Sequence, residues 1–203
     1  MTIAIDTLMS EHRLIERALD ALEAFADEVR RKTADDKAEL GRFVTFIREF
    51  ADAHHHGKEE NLLFTAMVEA GFPRHGGPVA VMLMEHDHGR ALVGKLAALA
   101  SQEAPWSADD RQAVAEAANG FAALLHAHIH KEDAILYPMA EQRLDPALLD
   151  RVDADARAYD ARQAAAGVQD RLTRLAEDLL SRHAPLNAPE HRPPPPFGGC
   201  GHA

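Results

Sequence analysis

Apolar residues recur at intervals of three and four along most of this chain, a spacing that predicts helix after helix. A first helix over about residues 5–32 carries Leu8, His12, Ile15, Leu19, Leu22 and Phe25 as one stripe. A second, over about 37–70 with Asp35 or Asp36 as its cap, presents Leu40, Phe43, Val44, Ile47, Phe50, His55, Glu59, Leu62, Leu63 and Ala66 before Gly71 and Pro73 end it. A Gly-Pro connection from Gly71 to Pro78 leads to a third helix over about 79–100, with Val79, Leu83, His86, Arg90, Val93 and Leu96 facing inward. Ser107, followed three residues on by Asp110, opens a fourth that reaches about Gln142, and Pro138 is expected to kink or tighten it. Few β-branched residues and abundant Ala, Leu, Glu and Arg agree with an all-α chain. Four long helices on short connections favour an antiparallel four-helix bundle over residues 1–145. An Ala-rich fifth helix over 146–182 is expected to pack on the bundle as a lid or dimer element. Residues 183–203, rich in Pro and Gly, read as a mobile tail to which Cys200 and His202 lend no assigned function.

Some members of these stripes are not apolar. His55 and Glu59 recur as His128 and Glu132 inside one frame, His-x-x-Lys-Glu-acid-x-x-Leu-aromatic, written once as HHGKEENLLF and once as HIHKEDAILY. A residue four positions along a helix is rotated by only about 40° and raised by about 6 Å, so each pair sets an imidazole and a carboxylate on one face. Two such helices facing each other, joined by His12 and His86 from the other two, would converge four imidazoles and two carboxylates. Such a set could hold two metal ions, Glu59 and Glu132 bridging and two histidines ending on each ion, with an open position per ion. Mixed nitrogen and oxygen donors suit iron, with manganese or a mixed pair as alternatives, and six donors without a thiolate argue against a structural zinc. His54 and His56 flank His55 at about 100° to either side, so at most one of the three is expected to aim inward. His126, His130, His75 and one of His86 and His88 are expected outside, and Met82 and Met84 as core filler. Gly57 and Gly89, inside helices, either clear space beside the metals or allow close packing.

Composition narrows the function classes. Thirteen histidines among 203 residues exceed what a surface usually carries, and a net charge of −11 argues against nucleic acid or an anionic membrane as partner. The single Cys200 excludes an intrachain disulfide and cannot by itself hold an iron-sulfur cluster. The start MTIAIDT lacks the features of a signal peptide, and no uncharged run is long enough to span a bilayer, so a cytoplasmic location is expected.

His12, His55-x-x-x-Glu59, Glu85-His86-Asp87 and His128-x-x-x-Glu132 followed by Ile-Leu-Tyr-Pro resemble the hemerythrin-like, or HHE cation-binding, family over about residues 5–143. With Glu at the fourth position of both pairs, the pattern is most similar to the di-iron domain of iron-sulfur cluster repair proteins. The resemblance implies two non-haem irons, oxo- or hydroxo-bridged, that bind or react with O2 or NO in stress response or iron handling. It admits an oxidoreductase acting on O2, peroxide or NO with electrons from a separate donor, since no cofactor-binding fingerprint is present. An iron donor for cluster repair and a bundle stabilised by its metals are the alternative functions. Against the oxygen carriers the chain differs at two places. Their last motif is His-x-x-x-x-Asp, which His128 and Asp133 also satisfy, so Asp133 is the alternative to Glu132. Their third helix has His-x-x-x-His where this chain has His86-x-x-x-Arg90, which leaves one terminal ligand missing. Glu16, four residues after His12, is a candidate ligand or a partner for Arg90.

Overall fold

A computed structural model describes residues 2–31 and 36–183, and among them six helices and no strand. They are α1 (Ile3–Arg30), α2 (37–69), α3 (Gly77–Ser101), α4 (108–143), α5 (Pro146–Ala165) and α6 (Val168–Arg182). Helix starts follow local chemistry. The side chains of Thr2, Asp36 and Asp145 each accept a first-turn amide, and Ser107 with Asp110 forms a reciprocal capping box. α1 ends at Arg30, where Arg30 and Arg31 pair with Asp27, and Lys32, the expected end, lies outside the described residues.

The first four helices form the bundle, and its interior is layered. One apolar layer joins Leu19, Leu22 and Phe25 of α1 to Phe43 and Phe46 of α2, Leu96 of α3 and Phe121 of α4. A second joins Ile5 and Leu8 to Leu63, Met67, Met82, Leu136 and Tyr137. Between them the stripes turn polar, and His12, His55, His56, Glu59, His86, His128 and Glu132 are all buried. Burying seven ionisable side chains is costly unless each is compensated, so this layer is where chemistry is to be sought.

Three stretches of the bundle are π-helical rather than α-helical: Ile47–His56, Glu59–Leu63 and Glu132–Leu136. The amides of Phe64 and Tyr137 reach back five residues, to the carbonyls of Glu59 and Glu132. Pro138 therefore follows a widened turn rather than a tightened one, because the wider turn makes room for a ring that would crowd an α-helical carbonyl.

The C-terminal segment is two helices, not one. Gly167 adopts φ 67°, a left-handed conformation that ends α5 and lets α6 turn back. Val152 and Ala156 of α5 pack on the second apolar layer, and Leu172, Ala176 and Leu179 of α6 on the first. His183, assigned above to the tail, is packed: its ring lies 5.2 Å from that of Phe25, and its Nε2 is 3.0 Å from Glu39. The rest of the expected tail, including Cys200 and His202, lies outside the described residues. No described helix is long and apolar enough to cross a membrane.

Candidate metal centre

The buried polar layer resolves into two groups of four donors that share one carboxylate. His12, His55, Glu59 and Glu132 form one, His56, Glu59, His86 and His128 the other, and the ligand atoms within each lie within 4.8 Å of one another. All six residues expected from the sequence are brought together: His12, His55, Glu59, His86, His128 and Glu132. His56 joins them, where at most one of His54, His55 and His56 was expected to aim inward. That expectation assumed α-helical rotation; in the π-helical stretch Ile47–His56 successive side chains are rotated less, and all three rings are buried. His56 stacks on His86 with centroids 3.8 Å apart. It thus supplies a third imidazole to the side of the cage where Arg90 had implied a missing one.

Each of the five inner histidines has its Nδ1 against a carboxylate. His12 faces Asp133 at 2.7 Å, His55 Glu11 at 2.9 Å, His56 Asp52 at 3.4 Å, His86 Glu60 at 2.7 Å and His128 Glu85 at 2.8 Å. A carboxylate only accepts, so each Nδ1 carries a hydrogen, and each ring, once neutral, turns the lone pair of Nε2 toward the centre. Those nitrogens crowd together: His86 Nε2 is 3.0 Å from His128 Nε2, and His12 and His128 reach Glu132 at 3.3 and 3.2 Å. Among the buried atoms without a hydrogen-bond partner are Glu59 Oε2 and both oxygens of Glu132. Lone pairs aimed at lone pairs in a dry interior require cations, protons or metal ions, between them.

The carboxylates behind the histidines are held in turn by cations. Arg13 pairs with Asp133, Lys58 with Glu11 and Lys131 with Glu85, while Arg90 reaches Asp52 at 2.8 Å and Glu60 at 2.6 Å. Arg90, expected inward, thus lies at the surface, where it fastens the orienting partners of His56 and His86. Glu16 belongs to neither donor group and does not meet Arg90; it pairs with Arg13 at 3.0 Å. Asp133 sits behind His12, so Glu132 is the inner carboxylate. A cavity of about 190 Å³ beside this corner is lined by Ile47, Asp52, Gly89, Arg90 and Phe121, among others.

The repeated frame acquires a meaning at every position. Its lysines, Lys58 and Lys131, hold the glutamates that precede His12 and His86 in sequence, Glu11 and Glu85. Its second acids, Glu60 and Asp133, orient His86 and His12, and its leucines, Leu63 and Leu136, sit in the core. Its aromatics, Phe64 and Tyr137, lie nearly parallel to the rings of His86 and His12, at 6.0 and 5.6 Å. α1 with α2 and α3 with α4 are therefore two halves of a pseudo-twofold cage. The halves differ where His56 has no counterpart and where the Tyr137 hydroxyl donates to Glu59 at 2.6 Å.

Electrostatics match a cage that holds protons when metal is absent. Burial pushes the His12 imidazolium down, but the hydrogen bond to Asp133 and the nearby Glu132 carboxylate outweigh it and raise the group to about 9. Burial and the neighbouring Glu132 charge push Glu59 well above the usual carboxylate range; Glu132 is held well below it, since His128 and His12 overcome the cost of its burial. Burial, with the charges of His12 and His86 respectively, depresses His55 to about 4 and His56 to about 3.

Other histidines divide as follows. His54 meets Glu11 at 3.0 Å and lies outside the cage, while His75, His88 and His130 are exposed and His126 half-exposed. Met82 fills the core as expected, but Met84 is 63% exposed. A Cβ on Gly57 would lie 3.4 Å from the Tyr159 hydroxyl, and one on Gly89 3.4 Å from the Phe121 ring, so both glycines serve helix packing. Sequence reasoning missed His56 and the orienting carboxylates. The signals were present in the Glu-His dipeptides at 11–12 and 85–86 and in the frame's own Lys and acid.

A helical bundle whose middle layer is a His/Glu cage defines a protein class that could bind metal cations. The chain belongs to the hemerythrin HHE cation binding domain family, whose sequence profile matches residues 3–140. Among its relatives are three uncharacterized proteins, one from Mycobacterium bovis and two from strains of Mycobacterium tuberculosis, each 25% identical over 138 residues. The match takes in 66% of this chain and 52% of each relative, so the chain spans about half the length of the curated relatives it matches.

Proposed function

We propose that this chain is a non-haem di-iron protein that binds and reacts with O2 or NO. The observation that carries the reading is the cage of five inward Nε2 atoms around two buried glutamates, three of whose oxygens have no hydrogen-bond partner. His12 and His55 would hold one ion and His56, His86 and His128 the other, with Glu59 shared between the two donor groups and Glu132 in the first of them. A donor set of imidazoles and carboxylates, with no thiolate among the described residues and Glu59 common to both groups, favours iron or manganese over a structural zinc.

A ferrous pair bound here supplies the electrons and open coordination that a diatomic ligand needs. The residues do the rest. The apolar layers on either side exclude bulk water, and the five carboxylate-backed imidazoles hold fixed ring orientations, so the cage does not reorganise on loading. Tyr137 holds Glu59 by its hydroxyl, and each donor group would offer an ion four protein donors, which would leave room for a small ligand on either side. Turnover would need electrons from a separate donor.

The reading is tested by elemental analysis of protein produced with iron available, followed by anaerobic reduction and exposure to O2 and to NO. Two irons per chain and new visible absorption with both gases are the expected outcome. One zinc per chain, or two irons inert to both gases, would refute it, the latter in favour of a purely structural centre.

A further inference from the structure

Lys58 is the most deeply buried ammonium in the cage, 3% exposed, whereas its pseudo-twofold counterpart Lys131 is 35% exposed. The difference is α5, which lies beyond the residues matched by the family and covers only one half of the cage. Asp160 of α5 accepts from Lys58 at 3.0 Å and lies 3.7 Å from His54 Nε2. Lys58 and His54 both bind Glu11 Oε1, and the other oxygen of Glu11 takes the Nδ1 hydrogen of His55. One residue earlier, the Tyr159 hydroxyl donates to the carbonyl of Ala53 at 2.9 Å, inside the π-helical stretch that carries His55 and His56. Gly57 leaves room for that hydroxyl.

We propose that α5 is a clasp on the metal cage and that Asp160 is a positioning residue for His55, acting through Lys58 and Glu11. Without Asp160 a buried ammonium would have Glu11 as its one carboxylate partner, drawing Glu11 toward Lys58 and away from the imidazole it orients. Two carboxylates around one lysine share its charge, and Glu11 keeps an oxygen for His55. Lys58 also fills the space among Glu11, His54 and Asp160, so that trio is an ion-pair hub rather than a third metal site. At its other end α5 is fixed independently, because Asp153 accepts from the amides of Ile3 and Ala4 at the start of α1. Docking of the helix and orientation of His55 are therefore separable.

The proposal rests on the metal-binding reading above, and its test keeps the two apart. The 203-residue chain loaded with cobalt(II) is challenged with excess chelator, and release is followed by the cobalt ligand-field bands. Asp160→Asn is expected to speed release of one ion by ~10-fold, the lower end of what loss of an orienting partner does to metal affinity, and to shift the bands; Asp160→Glu restores both. Asp153→Asn lowers the melting temperature and leaves release and bands unchanged. In metal-free protein with labelled histidines, Asp160→Asn moves the His55 Nδ1–H resonance and Asp153→Asn does not, a readout that stands even if wild-type protein takes no metal. If Asp160→Asn lowers the melting temperature as Asp153→Asn does while leaving the release rate, the bands and that resonance at wild-type values, the clasp is structural only and the proposal is overturned.

Discussion

Loading the cage with metal must expel protons, and the structure says how strongly affinity then depends on pH. In the metal-free protein His12 stays protonated to about 9, and Glu59 is pushed well above the usual carboxylate range. His55 and His56, depressed to about 4 and about 3, are already neutral between pH 6 and 8 and release nothing. A donor that must lose a proton to bind weakens affinity tenfold for each pH unit below its own value, so His12 alone makes loading about 100-fold tighter at pH 8 than at pH 6. Glu59, pushed up in the same metal-free state, would steepen that dependence further. Chelator competition at pH 6, 7 and 8 measures the slope, and calorimetry in buffers of different ionisation heat counts protons released. Affinity that does not change with pH, together with no proton release at pH 7, would refute the assignment of His12 as a donor. The metal-free fold follows the same groups with opposite signs. His12, raised above its unfolded value of about 6.5, contributes stability that is present below that value and lost as pH rises through about 9. His55 and His56 are depressed, so their contribution is present above about 6.5 and lost as pH falls through about 4 and about 3.

Three further outcomes follow from the geometry. His56→Ala and His55→Ala should each reduce bound metal by elemental analysis, while His75→Ala should bind a full complement; equal content in all three would sink the cage assignment. Arg90→Met releases Asp52 and Glu60 together, the partners of His56 and His86, and should weaken one of the two sites by roughly 10-fold or more in a metal titration while the other keeps its affinity. Gly94 lies within α3, and a methyl group added there would meet nothing within 4 Å, so Gly94→Ala should raise stability by about 0.5–1 kcal/mol, visible as a higher melting temperature; a lower one would mean that α3 packs more closely there.

The fold was largely legible because the bundle follows rules local in sequence. Spacing of three and four placed α1 to α4 within a few residues, and Asp36, Ser107 and Asp110 marked their starts by side-chain chemistry that needs no tertiary context. The α5–α6 break was less legible. Gly167 lies in an Ala-rich run where a glycine is tolerable in a continuing helix, and the left-handed turn there depends on both flanking helices finding apolar layers to cover. Arg90 was placed inward because its position continues the Val79, Leu83 and His86 stripe. It lies at the edge of that stripe, where a long side chain can reach two carboxylates at the surface.

His56 was missed for a reason that bears on how such a cage is built. On an ideal α-helix adjacent residues diverge by about 100°, and two neighbouring histidines cannot both serve one centre. A stretch bonded five residues back turns less per residue, which brings His55 and His56 toward the shared Glu59 from one run of backbone. Widened turns recur after the inner glutamates in both frames, at Glu59–Leu63 and Glu132–Leu136. There they place Glu60 and Asp133 behind histidines of other helices, and Phe64 and Tyr137 beside those same rings. A sequence pattern read at 3.6 residues per turn finds the candidate donors that face the bundle axis and cannot find those that depend on departure from that period. The two copies of the frame carry that missing information, because a lysine, an acid and an aromatic repeated at fixed offsets from His and Glu have no reason to recur on solvated faces. Each repeated polar residue has its counterpart in the other half of the cage, and the one unrepeated donor, His56, sits on the side where Arg90 stands in place of the carriers' second histidine.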